Sequence, residues 1–372
     1  MTRTLSTRAK DSQIKPTDLV RFHQALAQWY KIHGRHDLPW RNTIDPYHIW
    51  LSEVMLQQTQ VQTVLTRFYA PFLKIFPTVE ALAAAPRDAV LKAWEGLGYY
   101  RRAAHLHEAA KRLAIEGGLA PYPLLTPAAS GSPSAAHDLI DRLLALPGIG
   151  RNTAHAILAF AYHQPVAILE ANVKRVVARI FALSQPGDAM LWAGAEALLN
   201  RATPFDYNQA MMDLGSLICT PKNPKCSACP ARALCAGKTN PTAYPAPRAK
   251  KKVPTREVTI HVRENAAGQI FLERRDQALL GGLYGFPQVS GVAQTTQGAI
   301  GTVTHLYSHF KLIGHVIYAR TRGKTNAADW YGRTQIAALP LSTLDHKVLA
   351  LLDNCHTRAP KKLKAPAQPR KH

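Results

Sequence analysis

The sequence contains no long apolar run. Its 372 residues include no stretch of about 18 consecutive apolar residues, the length that a membrane-crossing helix needs. The opening segment, MTRTLSTRAKDSQIKP, also lacks the apolar stretch of a secretory signal. We therefore expect a cytoplasmic protein with no membrane partner, although an Arg- and Ser-rich start leaves a mitochondrial presequence open.

Acidic residues are scarce. The chain has 24 Asp and Glu against 46 Lys and Arg, which gives a formal net charge of +22 and a pI near 10.0. A surplus of this size is typical of proteins that bind polyanions, and nucleic acid is the leading partner. A basic, soluble surface without a specific partner is the alternative, and charge alone does not decide between the two.

Cysteines are few and unevenly placed. Four of the five, Cys219, Cys226, Cys229 and Cys235, form the pattern C-x6-C-x2-C-x5-C, and Cys355 stands apart. In a reducing compartment this crowding argues against disulfides and for a metal site. Thiolate ligation with this spacing suits a 4Fe-4S cluster or a structural zinc, although zinc sites more often use two tight pairs.

Two kinds of periodicity divide the chain. Apolar residues recur at helical spacing from Leu19 to about Leu217, whereas VTIHVRE and QIFLERR alternate around the turn NAAG and predict a β-hairpin. We predict a mainly α N-terminal domain and an α+β C-terminal domain. The predicted divisions are a tail at 1–18, the helical domain at 19–237 with a surface loop at 126–135, an extended linker at 238–255, the α+β domain at 256–355 and a basic tail at 356–372.

The segment LPGIG, followed by RNTAHAILAFA, predicts a helix-hairpin-helix. One helix should cover about 138–145, and a second should start near Arg151. Because Gly148 and Gly150 have no side chains, the backbone N–H groups at the second helix start can approach a phosphate. An ordinary turn between two helices is the alternative.

A helix that carries an acid on its apolar face is predicted in DPYHIWLSEVMLQQTQ. Asp45 is a good N-cap and Pro46 a good first residue. Glu53 then lies on the face of Ile49 and Trp50, where desolvation should raise its pKa, as a general acid requires. The alternative is a structural glutamate paired with an arginine such as Arg41.

A second carboxylate, Glu170, precedes Asn172 and Lys174 at the start of another predicted helix. From the local sequence alone, an acid that serves the helix dipole is the favoured interpretation of Glu170.

The segments LSEVMLQQTQ, GLGYYRRA, LPGIGRNTA, ANVKRV and NQAMMDLG occur in this order before the cysteine loop and resemble the MutY family of adenine DNA glycosylases. Endonuclease III shares the hairpin and the cysteine spacing, whereas LPWR, EVMLQQTQ and GGLYGFP are similar to MutY. The resemblance implies a six-helix barrel module with the hairpin, a second helical module closed by a 4Fe-4S loop, and DNA between them. It favours the cluster over zinc.

The resemblance also implies a reaction. Adenine mispaired with 8-oxoguanine or guanine in double-stranded DNA would be flipped out, and its N-glycosidic bond hydrolysed. Glu53 matches the acid that protonates adenine, and Arg41 a residue lining the adenine pocket. Gln58 and Tyr99 match side chains that wedge into the base stack. The other positions expected to bind DNA are Leu97, Gly148, Gly150, Asn152, Asn172 and Lys174.

Two segments of the helical domain depart from the family pattern. Glu170 stands where members have an aspartate that stabilises the oxocarbenium-like sugar, and Ala171 where they have glycine; we expect slowed catalysis. Asn152 stands where many MutY members have Tyr or Ser, and where endonuclease III relatives have a lysine that attacks the sugar. Without that amine a lyase step is not expected, although Lys174 could trap an opened sugar.

The C-terminal segment GGLYGFPQ resembles the Nudix-like domain that MutY uses to recognise 8-oxoguanine. No glutamate follows Glu273, so the Mg²⁺-dependent hydrolysis of Nudix enzymes is not expected. LYSHF resembles the family's lesion-recognition loop, with Tyr307 in place of Phe and with Ser308 and His309 retained; a strand-end cluster is the alternative. We expect a monomer. A mismatch-binding protein with catalysis weakened by Glu170, or a glycosylase for another base, is the alternative function.

Overall fold

The computed structural model describes residues 14–115, 133–247, 252–276, 279–292, 297–321 and 329–358. Contacts group the chain into two compact units. The first combines residues up to 83 with 108–249, and the second combines 84–107 with residues from 250 onward. In the parts of the chain that are described, no helix is both long enough and apolar enough to cross a membrane.

The predicted division into a mainly helical part and an α+β part is confirmed. The α-helices run in the order α1 Pro16–His33, α2 Pro46–Leu56, α3 Val61–Arg67, α4 Tyr69–Ile75, α5 Val79–Ala84, α6 Arg87–Ala93, α7 Arg101–Ile115, α8 Pro133–Ala145, α9 Arg151–Ala161, α10 Ala171–Ile180, α11 Asp188–Leu198, α12 Pro204–Asp213, α13 Arg333–Ala338 and α14 Thr343–Arg358. Short 3-10 turns cover Pro39–Arg41, Cys226–Ala228 and Pro241–Ala243, and a π-helical turn covers Leu214–Ile218.

Helix α2 starts where the sequence predicts. Asp45 Oδ1 accepts hydrogen bonds from the amides of Tyr47 (2.8 Å) and His48 (3.2 Å), and Pro46 occupies the first turn. The helix is almost completely buried, since Ile49, Trp50, Leu51 and Met55 are each at most 1% exposed. It ends at Leu56, so Gln57 is its C-cap and not part of a further turn.

The helix-hairpin-helix is formed by α8 and α9. The turn between them has Gly148 at φ +81°, a conformation that favours glycine, and Gly150 is the extended N-cap of α9. Helix α8 begins at Pro133, before the predicted start near 138. The predicted loop at 126–135 is therefore wrong for residues 133–135, and residues 126–132 lie outside the described part of the chain.

The first half of the predicted linker is packed and not an extended tether. The amide of Gly237 donates to Arg179 O (2.9 Å), Arg179 Nε donates to Tyr244 O (3.0 Å), and the amide of Ala246 donates to Ser184 O (2.7 Å). A Pro- and Lys-rich composition therefore did not predict how residues 238–247 lie on the helical unit. Residues 248–251 are not described, and the first strand begins at Thr255.

The second unit contains the sheet. Its strands are β1 Thr255–Glu264, β2 Ile270–Phe271, β3 Glu273–Arg274, β4 Tyr284–Gly285, β5 Gln288–Ser290, β6 Ala299–Leu306, β7 Lys311–Arg320 and β8 Trp330–Tyr331. The order in the main sheet is β6-β7-β1-β2-β8, β5 also pairs with β1, and β3 and β4 form a separate pair. Strands β1 and β7 are parallel along their whole length. Helix α14 packs on β6, and its Leu344 and Val348 are fully buried in the core.

The predicted hairpin is confirmed, since β1 and β2 pair antiparallel with Glu264 opposite Ile270. Asn265 Oδ1 closes the turn by accepting from the amides of Ala267 and Gln269. The basic tail was placed too early: residues 356–358 end α14, and residues 359–372 lie outside the described part.

Residues 84–107 belong to this second unit, although they lie within the predicted helical domain. The carboxylate of Glu95 accepts from the amide of Leu341 (2.9 Å) and contacts His346 Nε2 (2.7 Å), and Arg274 pairs with Asp88 (2.7 Å). These contacts attach α6 to β3, and the turn that follows α6 to α14 and to the loop before it.

Candidate active site

The two carboxylates singled out from the sequence line one cavity in the first unit. The cavity has a volume of about 440 Å³. Glu53 reaches it from α2, Glu170 from the start of α10, and Gln209 from α12. Arg41, from the 3-10 turn, and Asn152, from α9, also line it. Five separate segments of the chain therefore converge on one space.

Glu53 has the electrostatic environment of a proton donor. Burial, and to a smaller extent the nearby carboxylate of Glu170, raise its pKa to about 7 against the opposing positive charge of Arg41. The shift is large because α2 is enclosed by apolar side chains, which solvate an ionised carboxylate poorly. Near neutral pH a substantial fraction of Glu53 is thus protonated.

Arg41 does not pair with Glu53, so the alternative of a structural Glu53–Arg41 salt bridge is wrong. Its two terminal nitrogens donate to the two oxygens of Asp213 at 2.7 and 2.8 Å. Asp213 is fully buried and also accepts from the amide (2.9 Å) and Nε (2.7 Å) of Arg35. Although burial alone would raise it, these two arginines hold the pKa of Asp213 below its ordinary value.

Two buried polar atoms of cavity-lining residues have no hydrogen-bond partner among the described residues. They are Nε of Arg41, a donor, and Oε1 of Gln209, an acceptor. Such atoms cost free energy in a closed protein, and a ligand that pairs with them recovers it. Gln209 and Asp213 were not predicted as site residues from the sequence. Their spacing of four residues in NQAMMD, on one face of α12, was the available signal.

Glu170 caps helix α10, as the local sequence predicted. Its Oε1 accepts from the amide of Val173 (2.9 Å), and its Oε2 accepts from the amide (2.9 Å) and the side chain (3.1 Å) of Asn172. Burial raises the pKa of Glu170, and these hydrogen bonds together with the charge of Arg175 counteract the rise. The residue is thus both a cap and part of the cavity wall.

Asn152 and Lys174 have defined partners. Asn152 Oδ1 accepts from the amide of Leu169 at 2.7 Å, next to Glu170, so the side chain holds the segment that leads into α10. Lys174 Nζ pairs with Asp188 Oδ1 at 2.7 Å. Asn172 Oδ1 accepts from Arg175, whose Nε donates to Cys219 O at 2.7 Å.

The two predicted wedges share an unusual backbone conformation. Gln58 has φ +57° and Tyr99 has φ +49°, backbone angles that residues other than glycine rarely adopt. Both side chains are exposed, Tyr99 by 41%. Strain of this kind is frequent at functional positions. Leu97, also expected to contact DNA, is only 6% exposed and belongs to the buried apolar residues.

The predicted lesion loop is the turn between β6 and β7. The amide of Tyr307 donates to Phe310 O at 2.9 Å, and the two rings stack with centroids 4.7 Å apart. Ser308 and His309 are exposed at the tip. Within the same unit, the hydroxyls of Tyr99 and Ser308 are hydrogen-bonded at 2.5 Å. Two residues that the sequence placed in separate roles are therefore in contact.

The four clustered cysteines line one small cavity of about 20 Å³, together with Arg179. Arg179 Nη1 donates to Cys219 Sγ (3.3 Å) and to Thr220 O (2.7 Å). Burial raises the pKa of the Cys229 thiol to about 12. No group of three or more His, Cys, Asp or Glu side chains in the described ranges is arranged to hold a metal ion. The four thiols nevertheless line one space beside the Arg179 guanidinium, and thiol sulfurs are the donor type that an iron-sulfur cluster uses.

Comparison with known families agrees with this architecture. Residues 51–199 match the family described as HhH-GPD superfamily base excision DNA repair protein, and residues 259–351 match the NUDIX domain family. A solved thermostable thymine-DNA glycosylase shares the fold of the helical part, with a TM-score of 0.51 and 27% identity over 60% of this chain and 97% of that one. The fold and these matches thus define a helix-hairpin-helix DNA glycosylase with a Nudix-like C-terminal domain.

Relatives that match over more than two thirds of both chains give the particular family. The adenine DNA glycosylase of Buchnera aphidicola subsp. Schizaphis graminum is 32% identical over 80% of this chain and 86% of its own length. That of Rattus norvegicus is 31% identical over 84% of this chain and 72% of its own length. A third, from Buchnera aphidicola subsp. Baizongia pistaciae, is 38% identical, and the match spans 58% of its length. The chain belongs to the adenine DNA glycosylase family.

Proposed function

We propose that the protein is a monofunctional adenine DNA glycosylase that acts, as a monomer, on adenine opposite 8-oxoguanine or guanine in double-stranded DNA. The observation that carries this is one cavity lined by two carboxylates with different tasks available to them. Glu53 has a pKa near 7, and Glu170 has its charge supported by three hydrogen bonds. Such a pair can divide acid catalysis from charge stabilisation.

The reaction follows from these two environments. Protonated Glu53 donates its proton to a ring nitrogen of the flipped adenine, which makes the base a neutral leaving group as the N-glycosidic bond breaks. The Glu170 carboxylate stabilises the positive charge that develops on the sugar. Water then attacks the sugar carbon through its oxygen, and the ionised Glu53 accepts the proton that the water loses. The products are free adenine and an abasic site.

The unpartnered atoms of the cavity support adenine as the base. Arg41 Nε is a donor and Gln209 Oε1 an acceptor. Adenine presents an acceptor at N7 beside a donor at its 6-amino group, whereas guanine presents acceptors at both positions. An adenine could satisfy both buried atoms, while guanine would leave the Gln209 oxygen facing another acceptor. Asp213 positions Arg41 for this contact.

The reaction should stop at base removal. A lyase step needs an amine that attacks the sugar. Asn152, at the position of the endonuclease III lysine, is an amide held to the Leu169 backbone, and Lys174 is paired with Asp188. Neither group offers a free amine at the cavity, which supports a monofunctional enzyme.

Recognition of 8-oxoguanine is assigned to the turn with Tyr307, Ser308 and His309. Its exposed hydroxyl and imidazole can hydrogen-bond the altered edge of the lesion. Gln58 and Tyr99 would enter the base stack and keep the duplex kinked while adenine is extruded. The Tyr99–Ser308 hydrogen bond supports a shared role, because it connects a wedge to the lesion loop.

The test is adenine release under single-turnover conditions from matched duplexes. We expect release from 8-oxoG:A and more slowly from G:A, with none from T:A, and strand breaks only after alkali. Ser308→Ala should bring the 8-oxoG:A rate towards the G:A rate, by removing about 1–2 kcal/mol of hydrogen bonding, or roughly tenfold. Release of a different base would contradict the adenine assignment, and unchanged discrimination in Ser308→Ala would contradict the role of the turn.

We also propose that Cys219, Cys226, Cys229 and Cys235 hold a 4Fe-4S cluster that supports the fold beside α10. Cys226→Ser is expected to lose bound iron and visible absorption and to lower the melting temperature. Cys355→Ser is the matched control, because Cys355 is a half-buried thiol of the second unit whose Sγ contacts Ile300 O, and it should keep all three properties. Zinc in place of iron in the purified protein would contradict the proposal.

A further inference from the structure

A stacked arginine stands at the start of the second hairpin helix. Arg151 is the first residue of α9 and is exposed, and its guanidinium carbon lies 3.8 Å from the centre of the Trp192 ring on α11. This is the shortest arginine–ring distance found among the described residues. At this distance the planar guanidinium lies in direct contact with the indole.

The ring that carries Arg151 is itself anchored. Trp192 is half-buried, and its ring packs on the ring of His155 with centroids 5.1 Å apart. His155 is 5% exposed, and its Nδ1 is hydrogen-bonded to Ala167 O at 2.7 Å. Side-chain contacts therefore continue from Arg151 at the surface through Trp192 to the buried ring of His155, and they restrict the freedom of the arginine.

The charge of Arg151 is held in place without being neutralised. Its hydrogen bond is a long one, from Nε to His155 Nε2 at 3.4 Å. None of the ion pairs found within the described ranges involves Arg151. An exposed arginine ordinarily loses side-chain freedom when it binds a ligand, whereas a stacked one has lost most of it already. The terminal nitrogens of the guanidinium can therefore donate hydrogen bonds to a ligand.

The backbone next to Arg151 indicates the charge of the ligand that it would bind. Gly150, immediately before Arg151, caps α9 without a side-chain hydrogen bond, and the space where its Cβ would stand is open. The first amides of the helix and the fixed guanidinium thus lie on adjacent residues, and both favour an anion. We propose that Trp192 is a positioning residue that holds Arg151 as a ligand for a DNA backbone phosphate beside the hairpin. The inference rests on the proposed function, because it takes duplex DNA as the ligand.

Binding of the full-length protein to an undamaged duplex, measured by fluorescence anisotropy over about 50–200 mM salt, tests this. Arg151→Ala should weaken binding about tenfold and lower the slope of log affinity against log salt by about 0.9, the value for one lost phosphate contact. Trp192→Leu should weaken binding about two- to fivefold, and Trp192→Tyr, which keeps an aromatic face, should restore it. In the Arg151→Ala background, Trp192→Leu should have no further effect.

Arg263→Ala is the matched control, because Arg263 is an exposed arginine over the Phe271 ring (5.6 Å) in the second unit. Its salt slope should equal that of the wild type. An unchanged slope in Arg151→Ala would overturn the phosphate contact. An equal loss from Trp192→Leu with and without Arg151 would show that Trp192 acts through the fold and overturn the positioning role. The duplex carries no mispair, so failure of adenine release would leave these results interpretable.

Discussion

Replacing Glu53 by glutamine is expected to lower single-turnover adenine release by about 10²- to 10⁴-fold, the contribution of a positioned proton donor. Glutamine has nearly the shape of glutamate and keeps the packing of α2, but it has no acidic proton to give to adenine. Affinity for an 8-oxoG:A duplex should stay close to that of the wild type, because glutamine fills the same space in the cavity wall and can still form hydrogen bonds there. Rates from rapid quench and affinities from the same duplex separate the two effects.

The same variant should lose a pH dependence. Because burial raises the pKa of Glu53 to about 7, the wild-type rate should fall as pH rises through about 7, where the donor loses its proton. The remaining slow rate of Glu53→Gln should be flat there. A variant that kept this descending limb, or released adenine at the wild-type rate, would show that another group is the acid.

Stability gives the control for this variant. A carboxyl whose pKa rises from 4.5 in the unfolded chain to about 7 in the folded one stabilises the fold at low pH, and that stabilisation is lost as pH rises from 4.5 through about 7. At pH 8 the wild type contains an ionised, poorly solvated carboxylate, and Glu53→Gln does not. The variant should therefore melt at the same or a higher temperature at pH 8, which excludes unfolding as the cause of its low rate.

Local chemistry explains why Glu53 could be placed from the sequence. Asp45 and Pro46 fix the first turn of α2, and once the first turn is fixed, the face of every later residue follows from 3.6 residues per turn. The hairpin glycines and the β1–β2 turn were predictable for the same reason. In each case the residues that decide the conformation lie within a few positions of it.

Contacts between distant segments could not be predicted in this way. Arg41 was expected beside Glu53, but its partner Asp213 lies 172 positions along the chain, and the sequence near Arg41 contains nothing that selects it. The long parallel pairing of β1 with β7 joins residues more than 50 positions apart. Likewise, Glu95 and Asp88 look like ordinary helix-surface acids, and only the folded chain shows that they hold residues 84–107 to the second unit.

Glu170→Asp is expected to speed adenine release, by up to about a hundredfold. Such a gain corresponds to correcting a misplacement of about 1 Å at a catalytic group. The extra methylene of glutamate displaces the carboxylate by about 1.5 Å at full extension, and here the side chain must also turn back so that its two oxygens reach the amides of Asn172 and Val173. Aspartate is a preferred N-cap and makes the same hydrogen bonds with a shorter side chain. Helix α10 should therefore be as stable in the variant as in the wild type.

Glu170→Gln completes the comparison, because it keeps the length of glutamate and removes the charge. If the carboxylate stabilises the sugar cation, this variant should be slower than the wild type, and the order of rates should be Asp, Glu, Gln. Equal rates for Glu and Asp would show that the length of the side chain does not limit catalysis, and equal rates for Glu and Gln would remove Glu170 from the chemistry. If the wild type binds 8-oxoG:A tightly without releasing adenine, and Asp restores release, the natural protein is a mismatch-binding member of the family. In that outcome one methylene at the start of α10 separates binding from catalysis.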